Sequence, residues 1–132
     1  MAGYKTLRLD DVEARPDYAP GVEWLPLRHL LGVRAFGMNA WRAEPGGEVV
    51  ERHTESDYGH QEVYVVLAGH ARFTVAGEEI DGPPGTVVFV EDPTLERVAV
   101  AEEPGTVVLA VGAKQGEAYE VSAWEGRELG TS

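Results

Sequence analysis

The sequence predicts an all-β protein built as a sandwich or barrel of short strands. Glycine and proline recur at short intervals from residue 45 onward, as in PGG at residues 45–47 and GPPG at residues 82–85. Between these turn signals lie short runs rich in β-branched and aromatic residues, among them EVYVVLA, ARFTV, TVVFV and TVVLAVG. Turns every 8 to 12 residues or so between such runs are typical of all-β domains. No long amphipathic helix is predicted from residue 33 onward.

The composition narrows the class of protein. A chain of 132 residues fits one domain with its own core. The net charge of −12 would repel nucleic acid and anionic membranes, so neither is an expected partner. No apolar run approaches the roughly 18 residues that span a bilayer. Cysteine is absent, which excludes disulfides and thiolate ligands. The N-terminal segment lacks an apolar signal region, so we expect a cytoplasmic protein.

Three segments are predicted. They are an N-terminal arm that packs on the barrel or on a partner, the barrel itself and a C-terminal tail, at residues 1–32, 33–113 and 114–132. The arm carries three prolines and is predicted to be extended. It is expected to finish in a helical turn over Leu27–Leu31, which Gly32 ends. The tail is expected to add one more strand around AYEVSA.

Two kinds of strand pattern are visible in the barrel segment. Residues 86–90 and 106–111 are nearly continuous in apolar residues, which predicts strands buried on both faces and places Phe89 in the core. Residues 71–80, ARFTVAGEEI, alternate around AGE and predict a tight hairpin.

Polar residues with metal-binding chemistry precede the apolar run of HTESDYGHQEVYVVLAG, residues 53–69. In an extended strand, His60, Glu62 and Tyr64 point to one face, with the first two about 7 Å apart. By the same period of two, His53 and Glu55 share a face of the preceding segment. If the two segments lie side by side, the side chains of these residues can reach one common point.

The candidate metal ligands are therefore His53, Glu55, His60 and Glu62. Imidazole and carboxylate together suit Fe(II), Mn, Zn, Ni or Cu, and two histidines with one carboxylate are an oxygenase-type set. The same residues could instead form an ion-paired or solvated cluster, because 23 acidic residues will place some carboxylates near a histidine by chance.

The spacing of these residues resembles that of a known family, the cupins. Gly47 precedes His53 by five intervening residues, Glu62 precedes Gly69 by six, and residues 83–93, PPGTVVFVEDP, look like the opening of the second cupin motif. The resemblance implies a double-stranded β-helix, the jelly-roll cupin barrel, here with an extended N-terminal arm. It also implies a homodimer.

The chain departs from the family pattern in ways that bear on the metal. Glu55 replaces the second histidine of the first motif, and the longer spacer that follows contains His60. The histidine of the second motif is missing, and Glu96 or Arg97 lies near its place. The family's site of three histidines and one glutamate therefore cannot form, although a modified site remains open.

Three residues are predicted to line a ligand pocket: Trp41, Tyr64 and Arg97. An inward Arg97 would repel a cation but could pair with a glutamate or hold a ligand carboxylate. Three functions follow as alternatives: a metal-dependent oxygenase or isomerase acting on a small molecule, a metal-free module that binds a small anion, and a structural cupin with a degenerate site.

Overall fold

The computed structural model describes residues 3–130 and shows two packed antiparallel sheets. The strands are β1 Arg15–Ala19, β2 Val22–Leu25, β3 Gly37–Ala43, β4 Glu48–His53, β5 Gln61–Ala68, β6 Ala71–Val75, β7 Glu78–Gly82, β8 Val87–Val90, β9 Arg97–Ala101 and β10 Thr106–Ala113. The helices are a 3₁₀ turn at Leu9–Asp11, α1 Leu27–Leu31 and α2 Ala123–Leu129. Within the described range, no helix is long and apolar enough to cross a membrane.

The sheets have six and four strands, in the orders β1-β2-β3-β10-β5-β8 and β4-β9-β6-β7. The main core lies between them and joins Tyr64 and Val108 of the larger sheet to Val49, Phe73 and Ala99 of the smaller one. All five are almost completely buried. The predicted all-β jelly-roll architecture is confirmed.

The N-terminal arm is part of the larger sheet. Its hairpin, β1–β2, extends the sheet because β2 pairs with β3, with Trp24 opposite Trp41. The predicted helical turn is present as α1, and Gly32 ends it in the left-handed conformation with φ of +73°. The arm therefore contributes two strands and is not merely an extended cover.

The tail differs from the expectation. Residues 114–122 form no strand, and helix α2 follows them. The Ser122 side chain makes no capping hydrogen bond, but Glu125 in the first turn pairs with Arg28 and Gly130 ends the helix with φ of +73°. The expected strand around AYEVSA is wrong because the tertiary ion pair of Glu125 and the C-terminal Gly130 favour a helix over the short β-prone run.

The hairpin around AGE is confirmed. Strands β6 and β7 are joined by Ala76 and Gly77, both with positive φ, at 50° and 82°. Two left-handed residues make the tight turn that matches the twist of a hairpin.

The expectation for Phe89 is wrong. Its strand β8 is the last strand of the larger sheet, and Phe89 points away from the core with 54% of its surface exposed. Only one face of β8, carrying Val88 and Val90, is buried. The continuous apolar pattern thus describes a strand whose second face has no cover among residues 3–130.

Candidate metal site and ligand cavity

Three candidate ligands meet where β4 leads into β5. His53 ends β4, Glu62 lies near the start of β5, and Glu55 lies in the connecting loop. His53 Nε2 is 2.8 Å from Glu55 Oε2 and 3.5 Å from Glu62 Oε1. One ligand atom from each residue lies within 4.8 Å of the others, so the cluster could hold a metal ion.

The spacing fits that ion. Atoms bound to one first-row metal at about 2.1 Å lie roughly 3.0 to 3.4 Å apart in octahedral or tetrahedral geometry. The two distances from His53 Nε2, 2.8 and 3.5 Å, bracket this range. One imidazole and two carboxylates are also a reasonable donor set for a divalent metal of the manganese-to-zinc series.

The ring of His53 is held by its other nitrogen. Nδ1 lies 2.5 Å from the backbone carbonyl oxygen of Glu51, to which it can donate a hydrogen bond. This bond leaves Nε2 directed at the two carboxylates. Such support of a ligating imidazole by a carbonyl is usual in metal sites because it fixes the tautomer and the ring orientation.

Glu62 is held from behind by two groups. Arg97 Nη1 donates to Glu62 Oε1 at 2.9 Å, and the hydroxyl of Tyr64 donates to the same oxygen. Arg97 is completely buried. The Glu62 carboxylate is therefore anchored in one orientation.

The charges stabilise one another in the metal-free protein. Burial acts to lower the pKa of His53, but hydrogen bonds to Glu55 and Glu62 and to the Glu51 carbonyl outweigh it and raise that pKa to about 10. Burial acts to raise the pKa of Glu62, yet the hydrogen bonds from His53 and Tyr64, with the charges of His53 and Arg97, hold it below its usual value. Without a metal, the cluster is a pair of cations facing a pair of carboxylates.

The structure shows which of Glu96 and Arg97 faces the interior near the place of the missing second-motif histidine. Arg97 faces the interior, whereas Glu96 is exposed and pairs with Arg52 at 2.7 Å. Arg97 Nη2 is buried and has no hydrogen-bond partner among residues 3–130. Arg97 is not among the residues that line the cavity and pairs with Glu62 instead, so its contact with a ligand stays a prediction.

His60 is buried but does not join the cluster. Its ring lies between those of Tyr58 and Tyr119, with centroid distances of 5.5 and 5.6 Å. Its Nδ1 is 3.3 Å from Glu55 Oε1. Three of the four predicted ligands, His53, Glu55 and Glu62, meet at one point. The fourth, His60, contacts the other carboxylate oxygen of Glu55.

The cluster opens into a cavity of about 430 Å³. Its walls carry aromatic side chains from distant parts of the chain: Tyr18, Trp41, Tyr58, Tyr64 and Trp124. Tyr18, Trp41 and Trp124 form one cluster, with centroid distances of 6.0 to 6.2 Å. Trp41 Nε1 is buried beside the Tyr18 ring, so the indole presents its ring rather than its N–H group to the cavity. Trp41 and Tyr64 lie in the wall as expected, and their contact with a ligand stays a prediction.

Several cavity residues were not predicted from the sequence. Tyr18 comes from β1, and Trp124 and Arg127 come from α2, far along the chain from the motif. Helix α2 is fixed by a buried ion pair in which Arg28 Nε lies 2.8 Å from Glu125 Oε1. The helix-end pattern around residues 122–130 was the available signal for this wall.

A second acidic group lies at the surface. His70, Asp81 and Glu102 also approach one another closely enough for a metal ion. However, Arg72 already pairs with Glu102 at 3.2 Å, and the group is open to solvent. It provides a useful comparison for the buried cluster.

The two packed sheets, with the histidine–glutamate cluster between β4 and β5, define a small domain with the cupin fold. The structure is similar to KdgF from Halomonas sp., with a TM-score of 0.70 and 18% identity, covering 84% of this chain and 95% of that chain. It is similar to the cupin protein BF4112 from Bacteroides fragilis, with a TM-score of 0.66 and 18% identity over 92% and 93% of the two chains.

A third similar structure is described as a sugar phosphate isomerase from a cupin superfamily, SPO2919 from Silicibacter pomeroyi. Its TM-score is 0.69, with 24% identity over 84% of this chain and 76% of that chain. No protein-family model and no curated protein sequence matches this chain. The resemblance seen in the motifs is thus confirmed at the level of the fold.

Proposed function

We propose that this chain is a metal-dependent enzyme of the isomerase class that acts on a small polyhydroxylated molecule. The observation that carries the proposal is the convergence of His53, Glu55 and Glu62 at metal-ligand spacing beside the cavity. Three protein ligands leave coordination positions open for a substrate. Manganese, iron, zinc, nickel and copper all suit the donor set, with manganese and iron favoured by its two carboxylates.

The donor set favours isomerase over oxygenase chemistry. The oxygenase-type arrangement needs two histidines and one carboxylate. Here the ligand atoms come from one histidine and two carboxylates, because His60 lies outside the cluster. A bound divalent ion would polarise a carbonyl or hydroxyl oxygen of the substrate.

The proton-transfer group that we assign is Glu51. Its carboxylate lines the cavity beside the cluster, and its Oε2 accepts a hydrogen bond from the Tyr18 hydroxyl at 3.0 Å. Isomerisation at a carbon next to a carbonyl requires a base that removes and returns one proton. A carboxylate at the cavity wall, oriented by a phenol, can serve in that role.

The walls suit a ring or chain that carries hydroxyl groups. The faces of Trp41 and Trp124 can cover its C–H surface, while the hydroxyl and carboxylate groups of Tyr18 and Glu51 in the same wall can bind its hydroxyl groups. The description of SPO2919 as a sugar phosphate isomerase supports the same substrate class.

The test is deuterium incorporation. Protein loaded separately with Mn(II), Fe(II) and Zn(II) is incubated in D₂O with a panel of aldoses, ketoses and their phosphates, and the products are read by NMR. We expect deuterium at the carbon next to the carbonyl, lost in Glu62→Gln and kept in Arg52→Ala, which alters an exposed neighbour of His53. No exchange with any sugar and any metal would contradict the proposal.

A second candidate function is favoured by Arg97. Its guanidinium lies near the place of the family's second-motif histidine, and with a protonated His53 it balances the charges of Glu55 and Glu62 without a metal. In a metal-free module of this kind, the charges of the cluster cancel one another, and Arg127 in the cavity wall would bind the carboxylate of a small ligand. It predicts that small carboxylates raise the melting temperature in the presence of a chelator, and that Arg127→Ala removes the effect.

A further inference from the structure

A second concave surface lies between helix α1 and the segment that leads into helix α2. It is a cleft of about 480 Å³, and we call it the basic cleft. The residues that line it are Arg28, His29, Gly32, Arg34, Tyr119 and Val121. None of them lines the cavity beside the metal cluster, so the basic cleft is a separate site.

The lining of the basic cleft is rich in positive charge. Two arginines and a histidine belong to it, whereas no carboxylate of the described residues does. The ammonium group of Lys5 lies at the rim, since a Cβ built on Gly32 would be 3.2 Å from Lys5 Nζ. The whole chain, by contrast, carries a net charge of −12. Cations gathered in one cleft of such a chain attract small anions to that place.

The guanidinium of Arg28 is held in a fixed position. Its Nε donates to Glu125 Oε1 at 2.8 Å, and its Nη1 donates to the carbonyl oxygen of Val33 at 2.9 Å. The side chain is only 10% exposed. Within residues 3–130, Nη2 makes no hydrogen bond, so this nitrogen can donate to a ligand in the cleft. A group that is already fixed loses little conformational entropy when it binds an oxyanion.

Arg34 supplies the charge that nothing in the described chain balances. The charge of Arg28 is offset by its ion pair with Glu125. Arg34 is exposed, and its guanidinium has neither a salt bridge nor a hydrogen bond to any of residues 3–130. Its planar fork can therefore donate two parallel hydrogen bonds to an oxyanion.

The carbonyl groups at the end of α1 would repel an anion if they were free, but they are already bonded. The backbone N–H of Gly32 donates to the carbonyl oxygens of Arg28 and His29 at 2.9 and 3.2 Å. Lys5 Nζ donates to the carbonyl oxygen of Leu31 at 3.0 Å. The positive side chains thus dominate the field in the cleft.

We propose that the basic cleft is a second binding site, which takes a small organic phosphate. A phosphate group carries close to two negative charges and three acceptor oxygens, which suits separate donors on Arg28, His29 and Arg34. A phosphate ion alone fills only part of the cleft. Tyr119 and Val121 give the remaining part an apolar wall, against which the organic group of the ligand packs.

This site is independent of the proposed isomerase activity, because the two concave surfaces share no lining residue. A ligand in the basic cleft needs no metal. Its binding can therefore be measured in the presence of a chelator, which prevents a phosphate from binding to a metal ion at His53, Glu55 and Glu62.

Calorimetric titration of the full chain with phenyl phosphate in the presence of EDTA tests the proposal. We expect one site per chain in the parent and binding weakened by about tenfold or more in Arg34→Ala, because charge-assisted hydrogen bonds are lost. Arg72→Ala is the matched control: it removes the same charge from an exposed arginine of the smaller sheet, and the affinity should stay nearly unchanged. Absence of binding by the parent would overturn the proposal, as would equal binding by Arg34→Ala.

NMR of the ¹⁵N-labelled parent locates the ligand without a variant. Phenyl phosphate should shift the amide signals of residues 28–34 and 119–121 more than those of the metal cluster. It should also bind more tightly than inorganic phosphate, because only its ring can pack against Tyr119 and Val121. Shifts confined to the metal cluster and its cavity would overturn the proposal, and so would equal affinity for the two probes.

Discussion

Arg97 Nη1 lies 2.9 Å from Glu62 Oε1, and the two residues belong to different sheets. The guanidinium is completely buried, and the side chain of Glu62 is only 16% exposed. A charge pair in this setting is strongly coupled because water screens it little. The pair therefore connects the sheets and fixes the carboxylate that we assign to the metal.

Replacement of Arg97 by methionine should destabilise the metal-free protein by about 3 kcal/mol, because it leaves the Glu62 carboxylate buried without its main counter-charge. Urea denaturation measures the change. Arg52→Ala is the matched control: its partner is Glu96 and both side chains are more than half exposed, at 56% and 57%. Its cost should stay within about 1 kcal/mol. Equal effects of the two variants would show that burial of the Arg97 pair does not matter.

Gly69 should tolerate no side chain. It adopts a φ of +74°, and a Cβ there would overlap Thr106 Oγ1 and lie 2.6 Å from Thr106 Cα. Gly77 has a similar φ of +82° but open space around it. Gly69→Ala should therefore cost about 1 to 3 kcal/mol more than Gly77→Ala, because overpacking adds to a shared backbone strain. Chemical denaturation of both variants checks this, and similar losses would contradict the close packing at Gly69.

Helix α2 should loosen when its buried carboxylate loses its charge. Glu125 is 1% exposed and pairs with Arg28, so Glu125→Gln leaves the buried guanidinium without a counter-charge. We expect a loss of about 3 kcal/mol and easier quenching of tryptophan fluorescence by acrylamide, since Trp124 lies on this helix. Glu128→Gln, an exposed change on the same helix, should leave stability and quenching nearly unchanged. Unchanged quenching in Glu125→Gln would mean that another contact holds the helix.

The fold and the core of the site could be predicted because they depend on local patterns. Glycine and proline mark the turns, and the period of two places His53 and Glu62 on inward faces. The motif spacing then brings the two residues together through the family resemblance. Both inferences use only neighbours in the chain.

The choice between Glu96 and Arg97 could not be made by counting. Strands β4 and β9 pair with two register shifts, so residue parity is not carried along them. His53 lies opposite Arg97 only because of these irregularities. A sequence pattern contains no direct signal for a bulge of this kind.

The aromatic wall was missed for a different reason. Tyr18 and Trp124 come from the first strand and the last helix, which meet only when the chain has folded. The strand that the sequence predicts around AYEVSA overlaps the start of the helix at Ala123, so the helix is not predicted. The apolar run at residues 86–90 predicts a buried Phe89 because such a run contains no signal that tells a strand with one covered face from a strand with two.

The most direct test of the central claim is the metal content of the parent, His53→Ala and His70→Ala. Each protein is stripped with a chelator, dialysed against Mn(II) and then against metal-free buffer, and analysed for metal and protein. We predict about one ion per chain in the parent and in His70→Ala, whose histidine belongs to the exposed acidic group, and none in His53→Ala. Absence of metal from the parent after the same treatment with manganese, iron, zinc, nickel and copper would contradict the claim, and so would full loading of His53→Ala.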